Sequence, residues 1–222
     1  MSGPEVRHPL WDLPVRITHW VITLCLPAAW WTAEEGMLEL HAWIGYTVLS
    51  LVLARLAWGV CGSPQARFAD FLRGPRAILA YLREGHRETL GHNPLGGWSA
   101  MALWALLLAQ AVSGLYNSDG ILFDGPLYAA VDGAVADKLG AFHETAFNVL
   151  LAFVGLHIAT VAFYQWGRKQ QLLVPMFRGS AAGREGTGPA VPVARWLFLL
   201  DLVALALLAI LAAAPEPVSS WW

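Results

Sequence analysis

The sequence predicts an all-α integral membrane protein, built from a four-helix bundle and a fifth, C-terminal transmembrane helix. Three observations favour this class. Of the 222 residues, 57% are hydrophobic and only 14% are charged, whereas soluble domains carry about 25% charged residues. The apolar residues gather into five stretches, each close to the 17–25 residues or so that a helix needs to cross a bilayer. The net charge of −2 shows no basic excess, so nucleic acid is not a predicted partner.

The five predicted spans are residues 15–33, 41–60, 98–116, 143–164 and 196–214. The first reads as an uncleaved anchor, because a polar leader precedes it and no small-residue cleavage pattern follows. Between the second and third spans, Pro75–Glu84 is predicted to form a short surface helix. Residues 179–192 are rich in Gly, Ala and Pro, which is typical of a flexible tether. The chain therefore divides into a core at 1–179, a linker at 180–195 and a fifth helix with a short tail at 196–222.

The charged residues predict the orientation of the spans. Twelve of the 14 Lys and Arg fall on one side of the predicted membrane. The other side has Lys138 as its single cation, beside seven carboxylates: Glu34, Glu35, Glu39, Asp119, Asp124, Asp132 and Asp137. Because basic loops stay in the cytoplasm, the N-terminus is predicted inside and the C-terminus outside. The tryptophans agree, with an inner interfacial set that includes Trp58 and Trp196 and an outer set that includes Trp43.

Four of the seven histidines lie within or at the ends of the spans: His19, His41, His143 and His157. Ionisable side chains are costly at this depth and usually mark functional sites, although any one alone could be a core histidine bonded to a neighbouring helix. At a rise of about 1.5 Å per residue, His143 and His157 lie about 21 Å apart on one helix face. His41 falls level with His143, and His19 falls level with His157. The four therefore form two pairs at two depths.

Two imidazoles facing each other across a bundle core are the axial ligands expected of a b-type haem, which is held without covalent attachment. Neither Cys25 nor Cys61 belongs to a CxxCH motif, so c-type attachment is not predicted. Two pairs predict two stacked haems b. Small residues near the histidines would leave room for a macrocycle, although they are also common where membrane helices contact one another. These small residues are Gly45, Ser113, Gly114 and Gly155.

Two arginines are candidates for binding a haem propionate. Arg55 lies 14 residues after His41, on the same face and at the inner level, where an unpaired guanidinium would be expensive. A propionate would pair with it through charge-assisted hydrogen bonds; the alternative is that Arg55 snorkels to the inner headgroups. Arg16, one turn before His19, is a second candidate for the same haem.

Two further residues are candidates for a quinone or proton site at the inner end. His92 precedes the third span, and Asp201 lies about two turns into the fifth; either could exchange a proton with a quinone. For each there is a structural alternative. His92 could be a helix-capping or loop residue, and Asp201 could pair with Arg195 or Arg55 to hold the fifth span in place.

Four stretches carry a family resemblance: VRITHW at 15–20, HAWIGY at 41–46, GHNPLGGW at 91–98 and LHI at 156–158. They resemble the bacterial cytochrome b-561 family, which includes the nickel-hydrogenase b-type cytochromes, from about Trp11 to Gly179. The resemblance implies a four-helix core with two haems b in the bacterial inner membrane. It also implies His41 with His143 at the outer haem and His19 with His157 at the inner one. The linker and the fifth span lie outside it.

The function expected from these features is electron transfer between membrane quinone and a periplasmic protein, such as a c-type cytochrome or a hydrogenase-like subunit. Two imidazoles per iron leave no axial position for a substrate, and an acidic exterior attracts basic proteins. An alternative on the same scaffold is a superoxide:quinone oxidoreductase, an activity of some family members, although the acidic exterior disfavours an anionic substrate. A haem-free, histidine-lined transporter is a remote alternative, because the mid-membrane residues are mostly Leu, Ala and Val.

Overall fold

A computed structural model describes residues 7–84, 91–182 and 192–212. Along the chain the elements are β1 (Arg7–Pro9), α1 (Leu13–Glu34), α2 (Leu38–Cys61), α3 (Phe68–Phe71), α4 (Pro75–Glu84), α5 (Pro94–Gly114), a 3₁₀ turn (Tyr128–Ala130), α6 (Gly133–Ala162) with a π-helical turn after it (Phe163–Gly167), α7 (Leu173–Arg178), β2 (Ser180–Ala182) and α8 (Val193–Ala212). We call the end of the bundle that holds the start of α1 the inner end, and the opposite end the outer end.

Helix α2 is the centre of the bundle. It packs against α1, α5 and α8, while α6 packs against α5. Accordingly, Val52, Ala54 and Trp58 of α2 are fully buried. By contrast, α1 and α6 make little contact with each other, although these two helices carry His19 and His157. Helices α1 and α6 are therefore not packed directly against each other.

Three helices of the described chain are long and apolar enough to cross a membrane: Leu38–Cys61, Pro94–Gly114 and Gly133–Gly167, the last including the π-helical turn. Helices α1 and α8, which overlap the other two predicted spans, lie outside this set. They have 22 and 20 residues, or about 33 and 30 Å at the helical rise, close to the hydrocarbon thickness of about 30 Å. The all-helical membrane architecture is confirmed, and a count of five spans stays a prediction.

The structure departs from the sequence analysis at several boundaries. Helix α6 begins ten residues before His143, so this histidine lies inside the helix rather than at its start.

Strand β2 pairs with β1 in a short antiparallel ribbon, so the first residues of the predicted flexible linker are ordered. Composition alone does not reveal that residues 7–9 supply a partner strand. Residues 183–191 of that linker lie outside the described residues. The surface helix at Pro75–Glu84 is found as predicted.

Asp12 joins the start of α1 to the end of α2. Its Oδ1 accepts the Val15 N–H at 2.9 Å and so caps α1. Its Oδ2 accepts the Trp58 indole N–H at 2.8 Å and the Ser63 hydroxyl. The prediction of Trp58 and Trp196 in an inner interfacial belt is therefore wrong, since both are buried; for Trp58 the Asp12 carboxylate replaces water as the partner of the indole.

Asp12→Ala is expected to lower the free energy of unfolding by about 2–4 kcal/mol, because it removes a helix cap worth about 1 kcal/mol and leaves a buried indole N–H unpaired. Asp70→Asn is the matched control. Asp70 forms an exposed ion pair with Arg67 at 2.6 Å, and such pairs contribute about 0–1 kcal/mol. Chemical unfolding in detergent micelles compares the two. Equal destabilisation by both variants would contradict the role of Asp12.

Candidate functional site

The clearest pair of candidate ligands lies at the outer end. The ring centres of His41 on α2 and His143 on α6 are 6.2 Å apart. A metal–imidazole bond is about 2 Å long, and the nitrogen lies about 1 Å from the ring centre, so two imidazoles on opposite sides of one metal have centres about 6 Å apart. The separation therefore suits one iron between the two rings.

The tautomer of both rings follows from their hydrogen bonds. His41 Nδ1 lies 2.8 Å from the Ala29 carbonyl oxygen on α1. His143 Nδ1 lies 2.9 Å from the Gln110 carbonyl oxygen on α5. Because a carbonyl only accepts, each Nδ1 carries the hydrogen and each Nε2 keeps its lone pair. An Nδ1–H bonded to a backbone carbonyl is the arrangement that orients metal-ligating histidines.

Helix α5 holds the His143 ring from one side. The Ser113 hydroxyl lies 3.1 Å from His143 Nδ1 and 3.0 Å from the Gln110 carbonyl oxygen. A Cβ atom added at Gly114 would come within 2.9 Å of His143 Cε1. Glycine at position 114 therefore allows the helix backbone to approach the imidazole.

The inner pair is less fully bonded by the protein. His19 lies on α1 and His157 on α6, two helices that make little contact with each other. The His19 Nδ1 and Thr18 hydroxyl are buried without a hydrogen-bond partner. Ala29, which bonds the outer His41, lies ten residues beyond His19 on α1, or about 15 Å along the helix. The two pairs therefore lie at clearly different levels.

Arg55 lies inside the bundle at the inner level. It is only 3% exposed, and its Nη2 donates to the Ala66 carbonyl at 3.2 Å. The guanidinium lies 5.5 Å from the ring centre of Phe68 and 5.7 Å from that of Trp104. Its Nη1 is buried with no hydrogen-bond partner. The snorkelling alternative is therefore wrong, and the unpaired nitrogen suits an anionic oxygen.

Arg16 has a partly structural role. Its Nη2 donates to the Phe177 carbonyl at the end of α7, at 2.6 Å, while its Nε is buried and unpaired. Trp20 reaches the same short helix, stacking on Phe177 at 4.3 Å and donating its indole N–H to the Met176 carbonyl at 3.3 Å. Helix α7 therefore closes the inner end beneath α1, and only part of the guanidinium is free for a ligand.

His92 lies in an aromatic setting at the inner end. Its ring centre is 5.0 Å from that of Trp11 and 4.7 Å from that of Phe71. Its Nδ1 is buried without a partner. Burial, reinforced by the nearby Arg55, lowers the pKa of His92 to about 4, so the imidazole is neutral at pH 7. The helix cap of α5 is Asn93, whose Oδ1 accepts the Gly96 N–H at 2.7 Å, so the capping role considered for His92 is wrong.

Asp201 lies on the exposed face of α8. Among residues 7–84, 91–182 and 192–212, the single ion pair joins Arg67 to Asp70. Asp201 is therefore not paired with Arg195 or Arg55, and the expectation of such a pair is wrong. The fifth helix is held instead by apolar contacts with α2 that include Trp196.

Several contributors to the site carry no signal in the sequence. The carbonyls of Ala29 and Gln110 are main-chain groups, which every residue has. Phe68 and Trp104 meet at Arg55 only through the fold. Within the described ranges, no group of three or more His, Cys, Asp or Glu could hold a metal ion.

Comparison with known proteins gives one family. A model described as prokaryotic cytochrome b561 matches residues 10–179. The match covers α1 to α7 and all four histidines, and it ends before α8. Neither a curated protein nor a solved structure matches the chain significantly.

Gly114→Ala is expected to push the His143 ring from its place, because the added Cβ would lie 2.9 Å from Cε1 and 3.3 Å from Nδ1. Such overpacking costs about 1–3 kcal/mol, and we expect weaker haem retention, measured as haem per polypeptide after purification. Gly133→Ala is the control, because its Cβ would meet nothing within 4 Å. Equal haem content in both variants would contradict the contact.

Proposed function

The chain belongs to the prokaryotic cytochrome b561 family, and on this premise we propose that it links a quinone in the bilayer to a redox protein on the outer side. Membership makes it a b-type cytochrome of transmembrane electron transfer, with haem b as its cofactor. Bound haem b supplies one-electron transfer at an iron whose potential depends on its axial ligands. The single observation that carries the proposal is the pairing of His41 and His143, each with a free Nε2 and a ring centre 6.2 Å from the other.

Two haems per chain are proposed. His41 and His143 would hold the outer one, and His19 and His157 the inner one. Support for the outer site is the fixed tautomer of both rings. Support for the inner site is the lack of direct packing between α1 and α6, together with the buried, unpaired Nδ1 of His19. Gly45, one turn after His41, adds room, since a Cβ there would meet nothing within 4 Å.

Arg55 is proposed to bind a propionate of the inner haem through Nη1. Binding of an anion to a buried guanidinium with one unpaired nitrogen is strongly favourable, because it satisfies that nitrogen. Arg16 would assist through its unpaired Nε, with its Nη2 already bonded to Phe177. These two side chains would set the depth of the inner haem and raise its affinity.

The proposed quinone site is at His92. A neutral imidazole can donate one hydrogen bond and accept another, which suits a group that passes protons to or from a quinone oxygen. The Trp11 and Phe71 rings on either side offer flat apolar surfaces. Asp201 is the second candidate, because an exposed carboxylate on a membrane helix is costly and usually functional.

The proposed setting is the bacterial inner membrane, crossed several times, with the N-terminus in the cytoplasm and the C-terminus in the periplasm. The distribution of cations supports this orientation. The proposed outer partner is a basic redox protein, such as a c-type cytochrome or a hydrogenase-like subunit, since the outer loops are acidic. The same charge disfavours superoxide, an anion, as the substrate. Membership of a cytochrome family leaves the haem-free transporter without support.

Replacing the histidines one at a time tests the two levels. His41→Ala or His143→Ala should remove the outer haem and keep the inner one, while His19→Ala or His157→Ala should do the reverse. The wild type should hold two haems per polypeptide and each variant about one, because losing an axial ligand opens its site. Haem content and the reduced-minus-oxidised spectrum measure this.

His8→Ala is a suitable control for those substitutions, because His8 lies in the ribbon outside the spans. A wild type with one haem would show that one histidine pair has another role. Loss of both haems from every single variant, with the protein still folded, would contradict the assignment to two levels.

His92→Gln is expected to slow haem reduction by decylubiquinol by about 100-fold, the lower range for loss of a proton-transferring group, with haem content unchanged. Asp201→Asn is the matched comparison. Stopped-flow spectroscopy gives both rates. Slowing by Asp201→Asn alone would move the quinone site to α8, and unchanged rates in both variants would contradict both placements.

A further inference from the structure

Residues 115–127 form a narrow hairpin that continues from the outer end of α5. The Leu127 N–H donates to the Leu115 carbonyl at 2.8 Å, and the Gly125 N–H donates to the Asn117 carbonyl at 2.7 Å. Ser118 and Asp124 form a β-bridge above them. We call residues 115–127 the outer hairpin.

Two aliphatic side chains stand at the tip of the outer hairpin with almost no cover. Ile121 is 83% exposed and Leu122 is 94% exposed. Single exposed aliphatic residues are common on protein surfaces. Two adjacent ones at a projecting tip are a suitable anchor for a partner if the tip is rigid.

The tip is fixed from within by Asp119. Its Oδ1 accepts the N–H groups of Ile121, Leu122 and Phe123, each at 2.9 Å. These backbone hydrogen bonds lower the pKa of Asp119, so the carboxylate stays charged and the turn stays formed at neutral pH. A rigid tip loses little conformational entropy when a partner binds it.

The base of the hairpin lies beside the helix that carries the outer ligand. A Cβ atom added at Gly140 would lie 2.6 Å from Asn117 Oδ1, so these two residues touch. Gly140 is three residues before His143 on α6, about one helical turn. A protein that contacts the hairpin would therefore lie close to the His41–His143 pair.

The surroundings of the tip are acidic. Between residues 115 and 144, Lys138 is the only Lys or Arg. The exposed carboxylates of this segment are Asp119, Asp124, Asp132, Asp137 and Glu144. An apolar tip within an acidic field is complementary to an apolar depression within a ring of Lys and Arg.

We propose that the outer hairpin is the docking element for a soluble electron-transfer protein that carries an apolar patch, ringed by basic residues, around its own redox group. Ile121 and Leu122 would be the anchors, and the carboxylates would steer the partner. This inference rests on the proposed function and names the surface that the outer partner recognises. A lipid surface is a less suitable occupant, because anionic headgroups would repel the same carboxylates.

Ile121→Ser/Leu122→Ser tests the docking element in the full-length, haem-loaded protein. The probe is a lysine-rich soluble c-type cytochrome, mixed with the dithionite-free, quinol-reduced protein in stopped flow. The concentration that gives half-maximal electron transfer should rise about tenfold, the effect of losing an interface anchor. The conservative exchange Ile121→Leu/Leu122→Ile is the matched control and should keep the wild-type value, because it preserves the apolar tip.

Varying the ionic strength separates the contribution of the apolar anchors to binding from that of the carboxylates that steer the partner. Raising the ionic strength should slow association of the wild type and of the serine variant by the same factor, because the carboxylates are unchanged. Identical half-saturation in the wild type and the serine variant would overturn the docking element. A wild type that accepts electrons from quinol but never passes them to the probe would instead overturn the link between quinone and an outer redox protein in the proposed function.

A second measurement distinguishes the partner from lipid. Leu122→Cys, in a Cys25→Ser/Cys61→Ser background, can carry an environment-sensitive fluorophore in vesicles of zwitterionic lipid. We expect water-like emission from the vesicles alone and a blue shift when the cytochrome is added. A blue shift before its addition would place the tip in the bilayer and overturn the proposal.

Discussion

The outer site depends on one kind of interaction, the hydrogen bond from an imidazole Nδ1 to a main-chain carbonyl of a neighbouring helix. His41 bonds Ala29 on α1, and His143 bonds Gln110 on α5. Each bond fixes a tautomer, leaves Nε2 with its lone pair and ties two helices together. Because Ala29 and Gln110 lie on different helices from the histidines they hold, a shift of α1 or α5 would turn a ring. The geometry of the two candidate ligands therefore depends on how α1, α2, α5 and α6 are arranged.

The two ends of the bundle differ in how many of their buried polar groups have hydrogen-bond partners within the protein. At the outer end main-chain carbonyls satisfy the Nδ1 atoms of both histidines, and the buried atom left unpaired is Gln110 Oε1. At the inner end Asp12 satisfies Trp58 and Ser63, yet His19 Nδ1, His92 Nδ1 and Arg55 Nη1 stay buried and unpaired. Unpaired buried groups destabilise a fold, so whatever binds them also stabilises it, as a ligand that binds only the native state does. Under the proposed function, binding of the inner haem would therefore stabilise the fold more than binding of the outer one.

The sequence predicts those features that depend on one segment at a time. Apolar length places the helices, Pro75–Glu84 has the periodicity of a surface helix, and the spacing of His143 and His157 follows from the helical rise alone. Apart from the pairing of His41 with His143, features that depend on two segments are missed. Trp58 looks interfacial until Asp12 is known to lie beside it, and residues 180–182 look flexible until β1 provides a partner. Tertiary structure alone likewise brings the aromatic rings to Arg55 and the main-chain carbonyls to His41 and His143. The sequence therefore indicates the candidate ligands but not the groups that hold them in place.

Charge and shape differ between the two ends of the bundle. The inner end carries α7, the β-ribbon and the aromatic rings around His92, a setting that would suit the proposed quinone better than a protein. The outer end carries a rigid, projecting hairpin with exposed carboxylates, which a protein can reach and a lipid-dissolved molecule cannot use. Under the proposed function each end meets a different class of partner, so specificity does not require the two sites to communicate. Specificity follows from the phase, lipid or water, in which each partner is dissolved.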